Sequence, residues 1–309
     1  EAVSYLRAAS SPQSRTPRPR FEIETDPSPI AARLRIEGAS LDAPEIYVLA
    51  TLLDQANDAR SALLAAAGQF PRLAAYGNAI SDLGPVFGEM LGKILPDGSL
   101  TDDASVALGR IRREMEKQRK LIEQSLERFL RHHQADGVLQ EEFITLRNER
   151  FVAPVIAGKE RRIQGVIHGS SSSGQTVFVE PLETVQLNND LVRLRDEELR
   201  EVHRILREWT ERLREHAPEV SATLHAVGAL EFLFAKADYA LDFQCCVPIL
   251  RETREIKLNA ARHPLLANLF RRQRKRVVPV SVELNAKVRM LLISGPNTGG
   301  KTVALKTIG

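Results

Sequence analysis

The sequence predicts a mainly α-helical protein with a small β insertion, followed by the first part of an α/β domain that opens on a glycine-rich loop. Three observations carry that reading. Two helical runs, Ala104 to His133 and Leu182 to His216, show heptad-like apolar stripes. Between them, from Phe143 to Glu180, the apolar period switches from helical to alternating. At the far end an apolar run, Val288 to Ser294, leads into Gly295-Pro296-Asn297-Thr298-Gly299-Gly300-Lys301-Thr302 and then Val303-Ala304-Leu305-Lys306, the pattern of strand, loop and helix start.

In chain order, Glu1 to Arg7 reads as the tail of a helix, and the proline-rich stretch Ser10 to Arg20 as a loop. Leu41 to Leu64 has helical spacing, and Ala66 to Gly92 carries shorter helical pieces broken by Gly and Pro. Pro96-Asp97-Gly98 is a turn signal, and Thr101 or Asp102 caps the next helix. Its stripe is Leu108, Ile111, Met115, Ile122 and Phe129. Candidate strands follow at Phe143 to Leu146, Phe151 to Ile156, Ile163 to His168 and Thr176 to Val179, with hairpin loops at Gly158-Lys159-Glu160 and Gly169 to Gly174. Pro181 starts the second long helix, whose stripe is Val192, Leu199, Val202, Leu206, Trp209 and Leu213, with Arg195 in one stripe position. Each long helix has roughly 30 residues, about 45 Å at 1.5 Å per residue. Two such helices flanking a small β module predict an antiparallel pair that carries the module at its end. Ala217-Pro218 ends the second helix and Val220 to Leu241 forms another. A strand at Glu255 to Leu258, a turn at Arg262 to Leu266, a basic loop and the strand of the glycine loop complete the chain.

The loop fits G-x-x-x-x-G-K-[ST], the P-loop pattern. Gly295, Gly299 and Gly300 can adopt dihedrals closed to other residues, so main-chain N–H groups turn inward around phosphates. The helix that follows points its positive end to the same place. Lys301, at or near the second helical residue, reaches the β- and γ-phosphates, and the Thr302 hydroxyl is placed to ligate magnesium. A nucleotide with Mg2+ is the expected ligand.

An apolar share of 43% is ample for packed cores, while an aromatic share of 5% and a charged share of 27% fit a helical, partly elongated chain. The net charge of +3 is too small to name a partner, but it is unevenly spread. Arg251 to Arg276 holds nine basic and two acidic side chains, Ala104 to His133 holds eight and four, and Leu182 to His216 holds seven and nine. Cys245 and Cys246 are neighbours, a poor geometry for a mutual disulfide, and core packing is expected of them. Reduced cysteines point to the cytoplasm, and no transmembrane run or membrane partner is read.

The Ser170 to Ser173 loop reads as a hairpin loop whose hydroxyls are also able to meet phosphate. His168 and His263 have no catalytic partner in the sequence and read as packing or hydrogen-bonding residues. Arg271 to Arg276 is either a solvated loop or a nucleic-acid contact, and the Phe87-Gly88-Glu89 triplet is a chance match to a mismatch wedge.

Together these residues resemble the bacterial MutS paralogues of the second type, here MutS-two. The resemblance is carried by Asp97-Gly98 through Asp103-Ala104-Ser105, Ile144 through Val155, Gly165-Val166-Ile167-His168, and Ser171 through Pro181. Leu187-Asn188-Asn189, Ala261 through Leu266 and Gly295 through Thr307 continue it, and it weakens before about Asp97. It implies a helical core over 1–103, a descending lever helix over 104–142, a β clamp over 143–180 and an ascending lever helix over 181–217. A return helix over 218–250 and the start of an ABC-type ATPase domain over 251–309 complete the implied layout. Family members are similar to homodimeric ATPases that bind branched DNA and suppress homologous recombination, often with a C-terminal nuclease domain. They are also credited with binding collided ribosomes, through rRNA, and splitting them. Carried over by position, Gly295, Pro296, Asn297, Thr298, Gly299, Gly300, Lys301 and Thr302 would hold ATP and magnesium, and Lys159, Arg161 and Arg162 would contact nucleic acid. No catalysis is expected of these residues alone, and the sequence reads as cut at both ends. Mismatch repair is a weaker reading because no mismatch-reading domain precedes the core. A chromosome-organising coiled coil is weaker still because its arms would run much longer.

Overall fold

The computed structural model describes residues 1–10, 17–22, 25–140, 144–296 and 299–309. Its helices are α1 (Ala2–Ala9), α2 (Ser28–Arg33), α3 (Ala43–Ala65), α4 (Pro71–Ala79), α5 (Gly84–Leu91), α6 (Val106–His133), α7 (Leu182–Glu215), α8 (Ala217–Phe243), α9 (Pro264–Arg272) and α10 (Lys301–Ile308). Its strands are β1 (Thr145–Arg147), β2 (Arg150–Ile156), β3 (Gly165–Ser170), β4 (Thr176–Pro181), β5 (Ile256–Ala261) and β6 (Val280–Leu284). The described chain is therefore mainly helical with small antiparallel sheets, and it forms two compact units, Pro19–Gly228 and Glu1–Arg18 with Ala229–Gly309.

In the Pro19–Gly228 unit, a capping box starts α3. Glu45 N donates to the Asp42 carboxylate at 2.9 Å, and Asp42 N donates to Glu45 Oε2 at 3.0 Å. The buried face of α3, including Ile46, Leu49 and Leu53, joins Phe87 and Met90 of α5 and Ile205, Trp209 and Leu213 of α7 in one apolar cluster. The N-cap of α6 lies three or four residues beyond the predicted caps. Asp102–Ala104 form a 3₁₀ turn, and the Ser105 hydroxyl accepts from Leu108 N at 2.9 Å. The same hydroxyl donates to Glu201 Oε1 of α7 at 2.6 Å, so one side chain caps a helix and fixes it to its neighbour.

The two long helices run antiparallel. Residues near the start of α6 meet the later part of α7, and Ile122 and Leu126 meet Leu191 and Leu194 nearer its start. The predicted α6 stripe is buried throughout, at Leu108, Ile111, Met115, Ile122 and Phe129. In α7 the stripe differs, because Leu199 is 59% exposed. Glu198 and Glu201 face α6 in its place. Glu198 accepts from Arg112 Nε at 2.7 Å, and Arg112 also donates to Asp102 Oδ1 and to the Leu100 carbonyl, each at 2.7 Å. Hydrogen bonding from Arg204, with help from Ser105, holds the Glu201 carboxyl down at about 2 despite opposing desolvation. A polar layer thus separates the cluster around Trp209 from the cluster around Ile122.

The four-stranded sheet has the order β1-β2-β4-β3, with every neighbouring pair antiparallel. Ala153 and Val155 of β2 and Val177 and Val179 of β4 alternate onto one face and pack on Phe129 and Leu130 at the end of α6. The predicted strands agree with these to within a few residues, and Phe143 lies outside the described residues. Arg147 to Arg150 make a two-residue hairpin in which Asn148 (φ 47°) and Glu149 (φ 64°) are both left-handed, as a type I′ turn requires. At Gly165 a Cβ would stand 2.5 Å from the Glu180 carbonyl oxygen, so the close pairing of β3 with β4 demands glycine there.

In the other unit, Tyr5 is fully buried. Its ring centroid lies 5.8 Å from that of Phe234, and its hydroxyl donates to the Pro17 carbonyl at 2.7 Å. Burial raises its pKa. Residues 11–16 of the predicted Ser10 to Arg20 loop lie outside the described residues. By length and composition α8, with 27 residues and a mean hydropathy of 1.2 in its most apolar window, is apolar enough to cross a membrane, although the sequence reading found no such run. Its buried residues Val220, Thr223, Val227, Leu230, Phe234 and Ala237 form one stripe at helical spacing, the pattern of a core helix.

Strands β5 and β6 pair antiparallel, with Leu258 opposite Val282, and α9 lies between them in sequence. Four expectations fail in this region. Arg262 to Leu266 is not a turn but the N-cap and first turn of α9 with the residue before them, and the basic stretch begins inside that helix, at Arg271 and Arg272. Strand β6 was not foreseen. The apolar run Val288 to Ser294 forms no strand, since none of the described residues supplies it with a backbone ladder, and Met290 and Leu292 are exposed. Cys245 and Cys246 are free and exposed rather than core residues, because they sit in the irregular segment that follows α8.

The seam between α6 and α7 generates a prediction. Ile122→Ala should destabilise the protein by about 2–5 kcal/mol, while Leu199→Ala should change stability by less than about 0.5 kcal/mol. Urea unfolding of both variants checks this, and equal costs would show that the predicted stripe is the true one.

Candidate nucleotide and nucleic-acid sites

The glycine loop begins with Gly295 at φ 142° and ends with Gly300 at φ 82°, both in the region that favours glycine. Gly299 N donates to the Pro296 carbonyl at 3.0 Å and closes a tight turn. Gly300 is the N-cap of α10 and supplies no side-chain cap. Lys301 is the first helical residue, within the range the sequence suggested. Its Nζ donates to the Gly295 carbonyl at 2.6 Å, which holds the ammonium against the loop. Thr302 is exposed beside it. Asn297 and Thr298 lie outside the described residues. Left-handed glycines, an uncapped helix start and an ammonium folded onto the loop fit a site for the phosphates of a nucleotide with its magnesium ion.

A second arrangement joins the four-stranded sheet to α7. Glu180 of β4 has a side chain only 1% exposed. Its Oε1 accepts from Arg150 Nη1 at 2.8 Å, and its Oε2 lies 2.6 Å from His168 Nε2. Arg150 Nη2 continues to Asn189 Oδ1 at 2.5 Å. The buried Asn188 side chain accepts from Phe151 N at 3.0 Å and donates to Phe151 O at 3.1 Å, so it pairs with β2 as another strand would. Arg195 Nη1 donates to the Glu149 carbonyl at 2.8 Å and ties the left-handed hairpin to α7. His168 therefore has a carboxylate partner that sequence spacing did not reveal. Leu146 to Val155, Gly165 to His168, Glu180-Pro181 and Leu187 to Asn189, distant in sequence, converge at this joint.

The three basic residues proposed from sequence do not act alike. Lys159 is half-buried, and its Nζ donates to the Gly137 carbonyl at 2.6 Å, which makes it a tie between loops. Arg161 and Arg162 sit on the 3₁₀ turn Glu160–Arg162 with both side chains exposed. Arg162 also borders a groove between the end of α6 and the start of α7.

Among the remaining candidates, Ser171 Oγ accepts from Thr176 N at 3.1 Å and stands 3.1 Å from Ser173 Oγ, so it is engaged in closing its own hairpin. His263 Nδ1 accepts from Leu266 N at 3.5 Å as the cap of α9. Phe87 is buried and Glu89 pairs with Arg212 at 2.7 Å, which leaves the Phe-x-Glu triplet structural. Arg271 donates to the Asp242 carbonyl and lies over the Phe243 ring, while Arg272, Arg274, Lys275 and Arg276 are exposed.

No family model matches the chain. Known proteins do. The "Endonuclease MutS2" of Pelotomaculum thermopropionicum is 34% identical over 318 residues, spanning 100% of this chain and 40% of the relative. That of Carboxydothermus hydrogenoformans is 34% identical over 314 residues, spanning 100% of this chain and 38% of the relative. The chain belongs to the MutS2 family. The "Endonuclease MutS2" of Thermomicrobium roseum is 38% identical over 252 residues, 78% of this chain and 31% of the relative. The chain thus spans well under half the length of these MutS2 relatives.

Removal of one partner from a buried ion pair leaves the other uncompensated. Glu180→Ala should therefore cost about 2–4 kcal/mol, tempered because Arg150 keeps some contact with water. Amide hydrogen exchange should show faster exchange across β2–β4 than across α3. Unchanged protection in β2–β4 would show that Glu180 does not anchor the sheet.

Proposed function

We propose that this chain is the arm and nucleotide-entry part of an ATP-controlled, nucleic-acid-clamping protein of the MutS superfamily, one that binds branched DNA and restrains homologous recombination. The observation that carries the proposal is the combination, in one MutS2-family chain, of a P-loop with a β module bonded rigidly to a pair of long helices. The relatives' printed name supports an enzymatic whole protein, with an ATPase centred on Gly295–Thr302 and an endonuclease supplied elsewhere in the molecule.

In this reading the domain layout follows the resemblance. Residues up to about 103 are a helical core, α6 and α7 are lever helices, the sheet from about 143 to 180 is the clamp, and 251–309 opens an ABC-type ATPase domain. ATP, when bound, supplies the free energy that favours a closed homodimer. The chain's own residues have defined parts. The amides at the start of α10 and the Lys301 ammonium hold phosphate oxygens, and the Thr302 hydroxyl holds the magnesium ion. Glycine at 295 and 300 lets the loop wrap close to the phosphates. The α6–α7 seam conveys a displacement along its length because apolar layers at both ends and the Arg112–Glu198 layer between them resist sliding. The joint at Glu180 passes that displacement to the sheet.

Lys301→Ala in the full-length protein should abolish ATP turnover and leave the helical content of the arm unchanged. Turnover at the wild-type rate would remove the P-loop from the proposal. A comparison of affinities for a four-way DNA junction and for stalled ribosome pairs at one salt concentration tests the choice of target. Tight ribosome binding with no preference for the junction would replace the leading reading with a ribosome-splitting one.

A further inference from the structure

The arm carries many arginines, and some of those at the joint and along the seam are neutralised. Arg112, Arg150, Arg195, Arg204, Arg212 and Arg214 each form an ion pair with a carboxylate. Arg128 and Arg162 differ. Arg128 Nε donates to the Gln124 carbonyl of its own helix at 3.3 Å, and among the described residues neither guanidinium is paired with a carboxylate. They come from separate elements, α6 and the 3₁₀ turn Glu160–Arg162, yet they border the same groove of about 570 Å³.

His132 and His133 also line this groove, against one acid, Glu183. The two rings meet edge to face with centroids 5.0 Å apart, and His133 stacks on Phe129 at 4.6 Å, so the wall is fixed. His133 Nδ1 is engaged by Asp136 at 2.9 Å, while Arg128, His132, Arg162 and Gln164 supply further donors among the lining residues. Two guanidiniums and His132 on one groove, with a single carboxylate, Glu183, among its lining residues and the rings of Phe129 and His133 beside them, suit phosphate oxygens with a nucleoside alongside.

We propose that this groove, where α6 ends and α7 begins, receives the phosphodiester backbone of a nucleic-acid strand, with Arg128 and Arg162 as its phosphate contacts. The inference rests on the nucleic-acid-clamping reading and moves the contact from Lys159, whose ammonium is committed to Gly137, to the base of the sheet. Branched DNA and ribosomal RNA present the same backbone chemistry.

The test uses the full-length protein and two probes, a four-way DNA junction and the intact ribosome, with affinity measured across a series of salt concentrations. Arg128→Ala with Arg162→Ala should reduce the magnitude of the log–log salt slope by about 2 for at least one probe. Lys159→Ala should leave the slope unchanged, and Arg128→Lys with Arg162→Lys should retain most of it. ATP turnover at the wild-type rate in each variant excludes a folding defect. A reduced slope for the junction alone assigns the groove to DNA, and a reduced slope for the ribosome alone assigns it to RNA. Wild-type binding with an unaltered slope in the double alanine variant overturns the groove and leaves the clamping reading standing. Failure of the wild-type protein to bind either probe overturns both.

Discussion

A carboxylate with 1% of its side chain exposed has to be compensated on both oxygens, and Glu180 meets that requirement through Arg150 on one side and His168 on the other. Those partners are on β2 and β3, so the charge is satisfied only when three strands are in register. Arg150 extends the same network to Asn189, and Asn188 repeats the connection through the backbone of Phe151. The position of the β module therefore depends on polar geometry at its base as well as on the apolar cluster around Phe129. Apolar packing alone would tolerate small rotations of the sheet over the helix end. Directional hydrogen bonds to a buried charge tolerate them poorly.

The α6–α7 pair follows a related plan. Apolar side chains supply adhesion at both ends of the seam, and the layer of Ser105, Arg112, Glu198 and Glu201 supplies register. A helix pair that slid by one turn would bury Glu198 and Glu201 against leucines. The cost of unpaired charge in such a state is larger than the few tenths of a kcal/mol of an exposed ion pair, because these carboxylates are only partly wet. Adhesion with a fixed register is what a part that transmits displacement requires.

Much of this was legible from residue spacing. The α6 stripe is one-sided and uninterrupted, so every predicted position is buried, and alternation between Phe151 and Val179 located the strands. The α7 stripe misled at Leu199 because the true seam there is polar, and a period search scores only apolar residues. Ser105 was passed over as a cap because Thr101 and Asp102 are equally good capping residues nearby. The joint was invisible as a joint, although its residues lie within stretches that carry the family resemblance. Nothing local to Glu180 or Asn188 states that they meet across the fold. The failure at Val288 to Ser294 has a different origin, since a run of apolar residues describes the strand it could form but not the neighbours it needs. At the phosphate loop, the glycines at positive φ and the helix start at Lys301 follow the motif, while the strand expected before it does not form among the described residues.

In the proposed function the β module and the α6–α7 pair form a single rigid body, so that any movement driven by nucleotide carries them together. The most direct test places one spin label at Glu123, exposed on α6, and another at Ser172, exposed in the β3–β4 hairpin, of the full-length protein. The distance distribution between them is then recorded without nucleotide, with ATP and with ATP plus a DNA junction. A rigid joint gives one narrow distribution that is the same in all three states and broadens in Glu180→Gln. A distribution that shifts or splits on ATP binding in the wild-type protein would contradict it, because the sheet would then be moving on the arm rather than with it.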